Sequence, residues 1–232
     1  MPPRSSSDSP PRKRAAAPRP RKPSAARLRR LLAAEYAWWE QGVSAVAGVD
    51  EVGRGPLAGP VVAAAVILPR DCWIHGVDDS KKLSAATRVD LAAQIVARCA
   101  AYGVGAASAR EIDRLNIRRA TALAMQRAIS RLPIPAEHLL VDGVHVPELG
   151  VGTHTPIVGG DGCVHCIAAA SIVAKTVRDR LMDRLAARYP VYGWERNKGY
   201  GTREHLEAIR RFGITRHHRH SFAPVQQSLS GL

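Results

Sequence analysis

The chain has 232 residues, 46% of them hydrophobic and 23% charged, a composition that excludes fibrous and disordered classes. Its longest apolar run, Val61 to Leu68, has eight residues, far below the ~20 needed to cross a bilayer as a helix, so no membrane partner is expected. The formal net charge is +14, of which residues 1–30 carry +9 from ten basic groups and one acid, and such an excess suits a polyanionic partner through counterion release.

Residues 1–25 hold seven of the 16 prolines among Ser, Ala and Arg and read as a disordered basic tail; the same prolines oppose the amphipathic helix of a transit peptide. Residues 26–232 read as one domain. Leu28, Leu31, Leu32, Tyr36 and Trp39 have helical spacing over Ala25 to Gly42. Val46–Val49 and Val61–Leu68 read as strands around a Gly/Pro-rich turn. Ser84 caps a helix to about Cys99, with Val89, Ile95 and Val96 inward. Tyr102–Ala107 is a third strand, and Asn116 caps a helix ending near Leu132. Leu139–Asp142 and Thr155–Val158 are short strands, and Cys166 to Arg188 is a long helix. Thr202 caps a further helix that Gly213 stops. Strands interleaved with helices predict an α/β fold. The sheet must be mixed, because the link between the first two strands is too short for a parallel crossover.

Four acids stand at the polar ends of apolar strands. Asp50 and Glu51 end the first, ahead of Gly53-Arg54-Gly55; Asp142 ends Leu139-Leu140-Val141; Asp161 follows Gly159-Gly160. Each alone is also an ordinary turn residue. Together they fit hard divalent cations with oxygen ligands, two of which can flank a phosphodiester during in-line displacement. Strand alternation raises a difficulty, since Asp50 and Glu51 should point to opposite faces unless the strand ends there or Glu51 offers its carbonyl.

These segments resemble type 2 ribonuclease H, the bacterial ribonuclease HII family, over about Ala47 to Val225. The resemblance rests on Asp50-Glu51-Val52-Gly53-Arg54-Gly55, Asp78 to Ser84, Val141-Asp142-Gly143, Gly160-Asp161, Ala169 to Lys175 with Arg178-Asp179, Asn197 to Thr202 and His220 to Val225. It implies a ribonuclease H-like mixed sheet flanked by helices, with a C-terminal helical extension. It implies Asp50, Glu51, Asp142 and Asp161 as catalytic ligands of two Mn²⁺ or Mg²⁺ ions. Gly53, Arg54 and Gly55 would read the ribose 2′-hydroxyl, the atom that separates RNA from DNA, and Tyr200 would pack on the next deoxyribose. The implied substrates are RNA–DNA hybrids and duplex DNA containing ribonucleotides, cut 5′ of the ribonucleotide to leave 3′-hydroxyl and 5′-phosphate ends. A monomer is expected. The chain departs from the family pattern at Gly159, where a lysine is frequent, and at Thr176-Val177, where the order is usually reversed.

Basic residues suit that substrate. Ser80, Lys81 and Lys82 precede a helix start, a natural phosphate site; Lys175 and Arg178 share a helix face with Ser171; Lys198 lies in a glycine-rich loop. Cys163-Val164-His165-Cys166 offers too few ligands for structural zinc, so its thiols are expected to pack at a helix start. His217-His218-Arg219-His220 reads as a basic surface for nucleic acid. Four cysteines and no apolar N-terminal run predict free thiols and a cytoplasmic compartment. Two other classes compete: a non-catalytic nucleic-acid binder driven by the tail, and a DNA nuclease or recombinase with similar carboxylate chemistry.

Overall fold

The computed structural model describes residues 25–77, 83–150 and 154–230. The basic segment 1–24 and the phosphate candidates Ser80, Lys81 and Lys82 lie outside the described residues.

Two short helices, α1 (Ala25–Leu31) and α2 (Ala33–Trp39), replace the single one expected. The chain breaks at Leu32, whose φ of −99° and ψ of 1° leave the helical region. The first sheet strands follow as β1 (Val46–Val52) and β2 (Val61–Ile67), then α3 (Ala85–Arg98) and β3 (Ala101–Ala107). Ser84 caps α3 by accepting from the Thr87 N–H. The inward face of α3 is Leu91, Ala92 and Ile95, whereas Val89 and Val96 are about 40% exposed. That corrects the expected set, because a helix resting on one neighbour buries only a narrow stripe.

A short helix absent from the expected elements, α4 (Ala109–Leu115), is closed by a capping box in which Ser108 and Glu111 exchange side-chain and backbone bonds. Next come α5 (Ile117–Ile129), capped by Asn116, and β4 (His138–Asp142) and β5 (His154–Ile157). The long helix α6 (His165–Arg188) precedes α7 (Trp194–Asn197), α8 (Arg203–Phe212) and α9 (Ala223–Ser230).

The sheet order is β3-β2-β1-β4-β5. β1 pairs antiparallel with β2 and parallel with β4, and β4 pairs parallel with β5, so the sheet is mixed as expected. One apolar layer joins Val46, Ala64, Val66 and Leu140 to α6. The other joins Ala47, Val49, Ala63 and Val141 to α5.

α6 is buried on all sides from His165 to Ala174, the signature of a helix enclosed by its neighbours. Its peptides lie directly on β1, since a Cβ on Gly48 would overlap the Cys166 carbonyl. Val164, at the α6 N-cap, supplies no side-chain bond. Glu35 of α2, 2% exposed, instead accepts from the Cys166 N–H at 2.8 Å, setting a carboxylate against the positive end of the helix. The final third of α6 carries a separate cluster with Ala58, Tyr192, Trp194 and Ile209, which seats the C-terminal helices.

Candidate active site

In the parallel pair β1 and β4, Val49 lies opposite Val141, so Asp50 and Asp142 leave the ladder abreast. β1 continues to Val52 only on its β2 side, which leaves both acids at the open carboxyl end of parallel strands, where open α/β sheets hold ligands. β5 delivers the 3₁₀ turn Gly160–Gly162 to the same end. The Gly160 N–H donates to Asp142 Oδ1 at 2.7 Å, placing Asp161 one residue from that bond.

Strand alternation holds through both acids of β1, which stay paired with β2. Asp50 shares the α6 face with Val46 and Gly48, and Glu51 shares the α5 face with Ala47 and Val49. Glu51 and Asp142 nonetheless line one cavity of about 180 Å³, together with Arg54, Arg118, His145 and Glu148. Asp50 and Asp161 do not line that cavity; Asp50 is linked to the other two acids through charge repulsion across the strand.

Charge is concentrated here. Asp50 is 4% exposed; burial drives its pKa well above the ordinary carboxylate value, Glu51 and Asp142 add repulsion, and a hydrogen bond from Ser171 opposes them. Glu51 is also raised, chiefly by burial and further by Asp142, against the attraction of Arg54, whose Nη1 lies 3.3 Å from Glu51 Oε1. Among the described residues no three acid, imidazole or thiol groups converge tightly enough as they stand to enclose a metal ion. The donor set is nevertheless all carboxylate, and its mutual repulsion is what a divalent cation would relieve.

The loop after β1 is built around two buried arginines. Arg178, 0% exposed, donates to the carbonyls of Pro60, Lys198 and Ala58 at 3.0, 3.1 and 3.3 Å. A Cβ on Gly53, which has φ +92°, would run into that guanidinium. Arg178 therefore braces the loop from within and does not share a solvent face with Lys175, which corrects its assignment to phosphate. Sequence spacing places it on the helix but cannot show that residues 58–60 cover it.

Ser171 likewise turns inward to Asp50. Lys175 is half-buried and bonded to Asp179 at 2.6 Å, and Lys198 is paired with Asp183. Arg54 and Gly55 are exposed. Tyr200, 47% exposed, lies with its ring edge 3.7 Å from a Cβ position on Gly55, so the two elements expected to meet the nucleotide adjoin.

The basic terminal surface also needs correction. His218 and Arg219 are 1% and 0% exposed, and only His220 of the four is fully on the surface. His165 is buried too: its Nε2 accepts from the Ile74 N–H at 3.2 Å and its ring stacks on Trp73. All four cysteines are free; Cys166 packs as a buried thiol, whereas Cys163 is exposed.

The five-stranded mixed sheet between helical layers is of the ribonuclease H-like class. A family model described as Ribonuclease HII matches residues 47–225. The ribonuclease HII of Geobacillus kaustophilus is 52% identical over 204 residues, covering 88% of this chain and 77% of that protein. The crystal structure of ribonuclease H2 from Pyrococcus horikoshii OT3 superposes with a TM-score of 0.70 at 25% identity, over 80% of this chain and 97% of that one. Bst-RNase HIII in complex with Mn²⁺ shares the fold, with a TM-score of 0.63 and 21% identity over 81% of this chain and 70% of that one.

The chain belongs to the ribonuclease HII family. It is a metal-dependent endoribonuclease that acts on RNA–DNA hybrids. No helix among the described residues is long and apolar enough to cross a membrane.

Proposed function

We propose that this enzyme incises duplexes on the 5′ side of a ribonucleotide, including one embedded in DNA, and leaves 3′-hydroxyl and 5′-phosphate ends. The observation that carries the reading is the placement of Asp50 and Asp142 abreast at the ends of parallel strands, with Glu51 and the Gly160–Asp161 turn beside them.

Asp50, Glu51, Asp142 and Asp161 would hold two Mg²⁺ or Mn²⁺ ions, which supply charge stabilisation to the phosphodiester and activate the attacking water. The protein's own part is positional. Ser171 orients the Asp50 carboxylate, and the Gly160 N–H orients that of Asp142. Gly53, Arg54 and Gly55 present backbone groups to the ribose 2′-hydroxyl, with Tyr200 packing on the following sugar. Lys175 and Lys198 exchange their carboxylate partners for backbone phosphates, joined by Ser80, Lys81 and Lys82. The enzyme acts as a monomer in the cytoplasm, where its thiols stay reduced.

The test is a 5′-labelled duplex carrying one ribonucleotide, compared with its all-DNA counterpart, in Mg²⁺, Mn²⁺ or EDTA. The reading expects one cut 5′ of the ribonucleotide, none in the all-DNA duplex and none in EDTA. Equal cutting of both duplexes would replace it with a DNA nuclease.

A further inference from the structure

A buried polar chain stands behind the loop assigned to the ribose. Arg219 places its fork among three carbonyls: Nη1 donates to Arg54 O at 2.7 Å, Nη2 to Gly53 O at 2.6 Å and to Gly59 O at 3.0 Å, and Nε to Gly59 O at 3.1 Å. Its own backbone N–H donates to Leu57 O, and the Gly59 N–H donates to His217 O. The terminal segment is thus zipped antiparallel to residues 57–59.

The residue before it continues the chain. The Thr215 N–H donates to His218 Nδ1 at 2.9 Å, so the His218 proton sits on Nε2 and is donated to His205 Nε2 at 3.2 Å. His205 Nε2 also accepts from Trp194 Nε1 at 3.0 Å, which leaves its proton on Nδ1 for Tyr200 O at 2.9 Å. The one lone pair of His205 Nε2 is thus shared between the Trp194 and His218 donors. Both rings are held neutral; burial lowers His218 to about 3 and also lowers His205.

One buried chain therefore ends at the carbonyls of Gly53 and Arg54 on one side and at the carbonyl of Tyr200 on the other. We propose that Arg219 and His205 are positioning residues that set the Gly53–Gly55 loop against Tyr200 and thereby determine discrimination of ribose from deoxyribose. This inference rests on the reading above of those two elements. Arg219 touches no reacting group; it acts by fixing carbonyls whose peptides carry the loop. A lysine preserves the charge but has one nitrogen where the arginine has a rigid fork, so it cannot reproduce the spread of contacts.

The experiment compares Arg219→Lys with wild type on the single-ribonucleotide duplex and on the same duplex with a 2′-deoxy or 2′-fluoro residue at that position, below the unfolding temperature of each protein. His205→Asn and His205→Gln form the second arm: an Asn amide nitrogen can replace Nδ1 toward Tyr200 O, whereas a Gln amide extends toward Nε2 and cannot. The expected result is a tenfold or larger loss in the ribose-to-2′-modified ratio of kcat/KM for Arg219→Lys and His205→Gln, with His205→Asn recovering most of the ratio. A merely structural role would lower all substrates together. An unchanged ratio in the folded Arg219→Lys protein, or equal ratios for the two His205 variants, overturns the proposal. If Arg219→Lys does not fold, the His205 pair decides alone. Failure of wild type to cut the single-ribonucleotide duplex would instead defeat the underlying functional reading.

Discussion

Gly48 lies beneath the Cys166 peptide so closely that a Cβ would overlap the carbonyl carbon and oxygen and the Ile167 nitrogen. The contact fixes α6 on β1 two residues before Asp50, and Ser171, about one and a half turns further along α6, bonds to that acid. Gly48→Ala forces backbone against backbone, which costs at least the roughly 1–3 kcal/mol typical of overpacked cores. We predict a loss of about that size in urea denaturation, with a larger fall in cleavage than in stability because Ser171 moves with the helix.

The carboxylate cluster predicts a second result. Asp50 and Glu51 have folded pKa values raised by burial and by their neighbours, so the metal-free fold favours their protonated forms. Their contribution to stability is present below the unfolded values near 4 and is lost as pH rises through the raised folded values. Asp50→Asn should therefore raise the melting temperature of the metal-free protein at pH 8, where the carboxylate is charged, and change it little at pH 4. Thermal unfolding at the two pH values checks the sign, and a lower melting temperature for the variant at pH 8 would count against it.

Buried histidines act in the opposite sense. Burial lowers His165 to about 4 and His218 to about 3, below their unfolded value near 6.5. Unfolded chains bind these protons first, so stability is lost as pH falls from about 6.5 toward 4. Each group contributes roughly 1.4 kcal/mol of that loss for every pH unit over which it is protonated in the unfolded chain and neutral in the fold. Denaturation at pH 7 and pH 4.5 should show the fall, and His165→Phe, which keeps the stack on Trp73, should flatten part of it.

Arg178 is enclosed by carbonyls that lose their donors if it is truncated. Arg178→Ala should destabilise by about 3–5 kcal/mol, as for other stranded buried polar networks. Arg178→Lys should recover little of that, since three carbonyls in different directions require a planar fork. Chemical denaturation of both variants is the check; wild-type stability in Arg178→Ala would return this residue to the surface role that its spacing suggests.

What is legible in the sequence is local. The strand end at Asp142 is readable because an apolar run stops there, whereas β1 runs two residues past Asp50 and Asp161 lies in a turn four residues after β5; the mixed sheet follows from the short link before Val61. The capping box of Ser108 and Glu111 is written in the sequence too, yet it marks a helix of only seven residues with little apolar periodicity. Burial of Arg178 and Arg219 is not legible, because carbonyls of residues 53–60, more than a hundred positions away, cover them. Glu35 shows the same limit: its bond to the Cys166 N–H spans 131 positions, and nothing near Glu35 in the chain announces it.

Single-turnover cleavage of a single-ribonucleotide duplex by Asp142→Asn, titrated with Mn²⁺, asks whether the clustered acids bind the ions that drive cleavage. If they do, the variant folds but its rate falls on the order of a thousandfold, about 4 kcal/mol of barrier, at every Mn²⁺ concentration. A variant that cuts at the wild-type rate with the wild-type Mn²⁺ dependence would contradict that role.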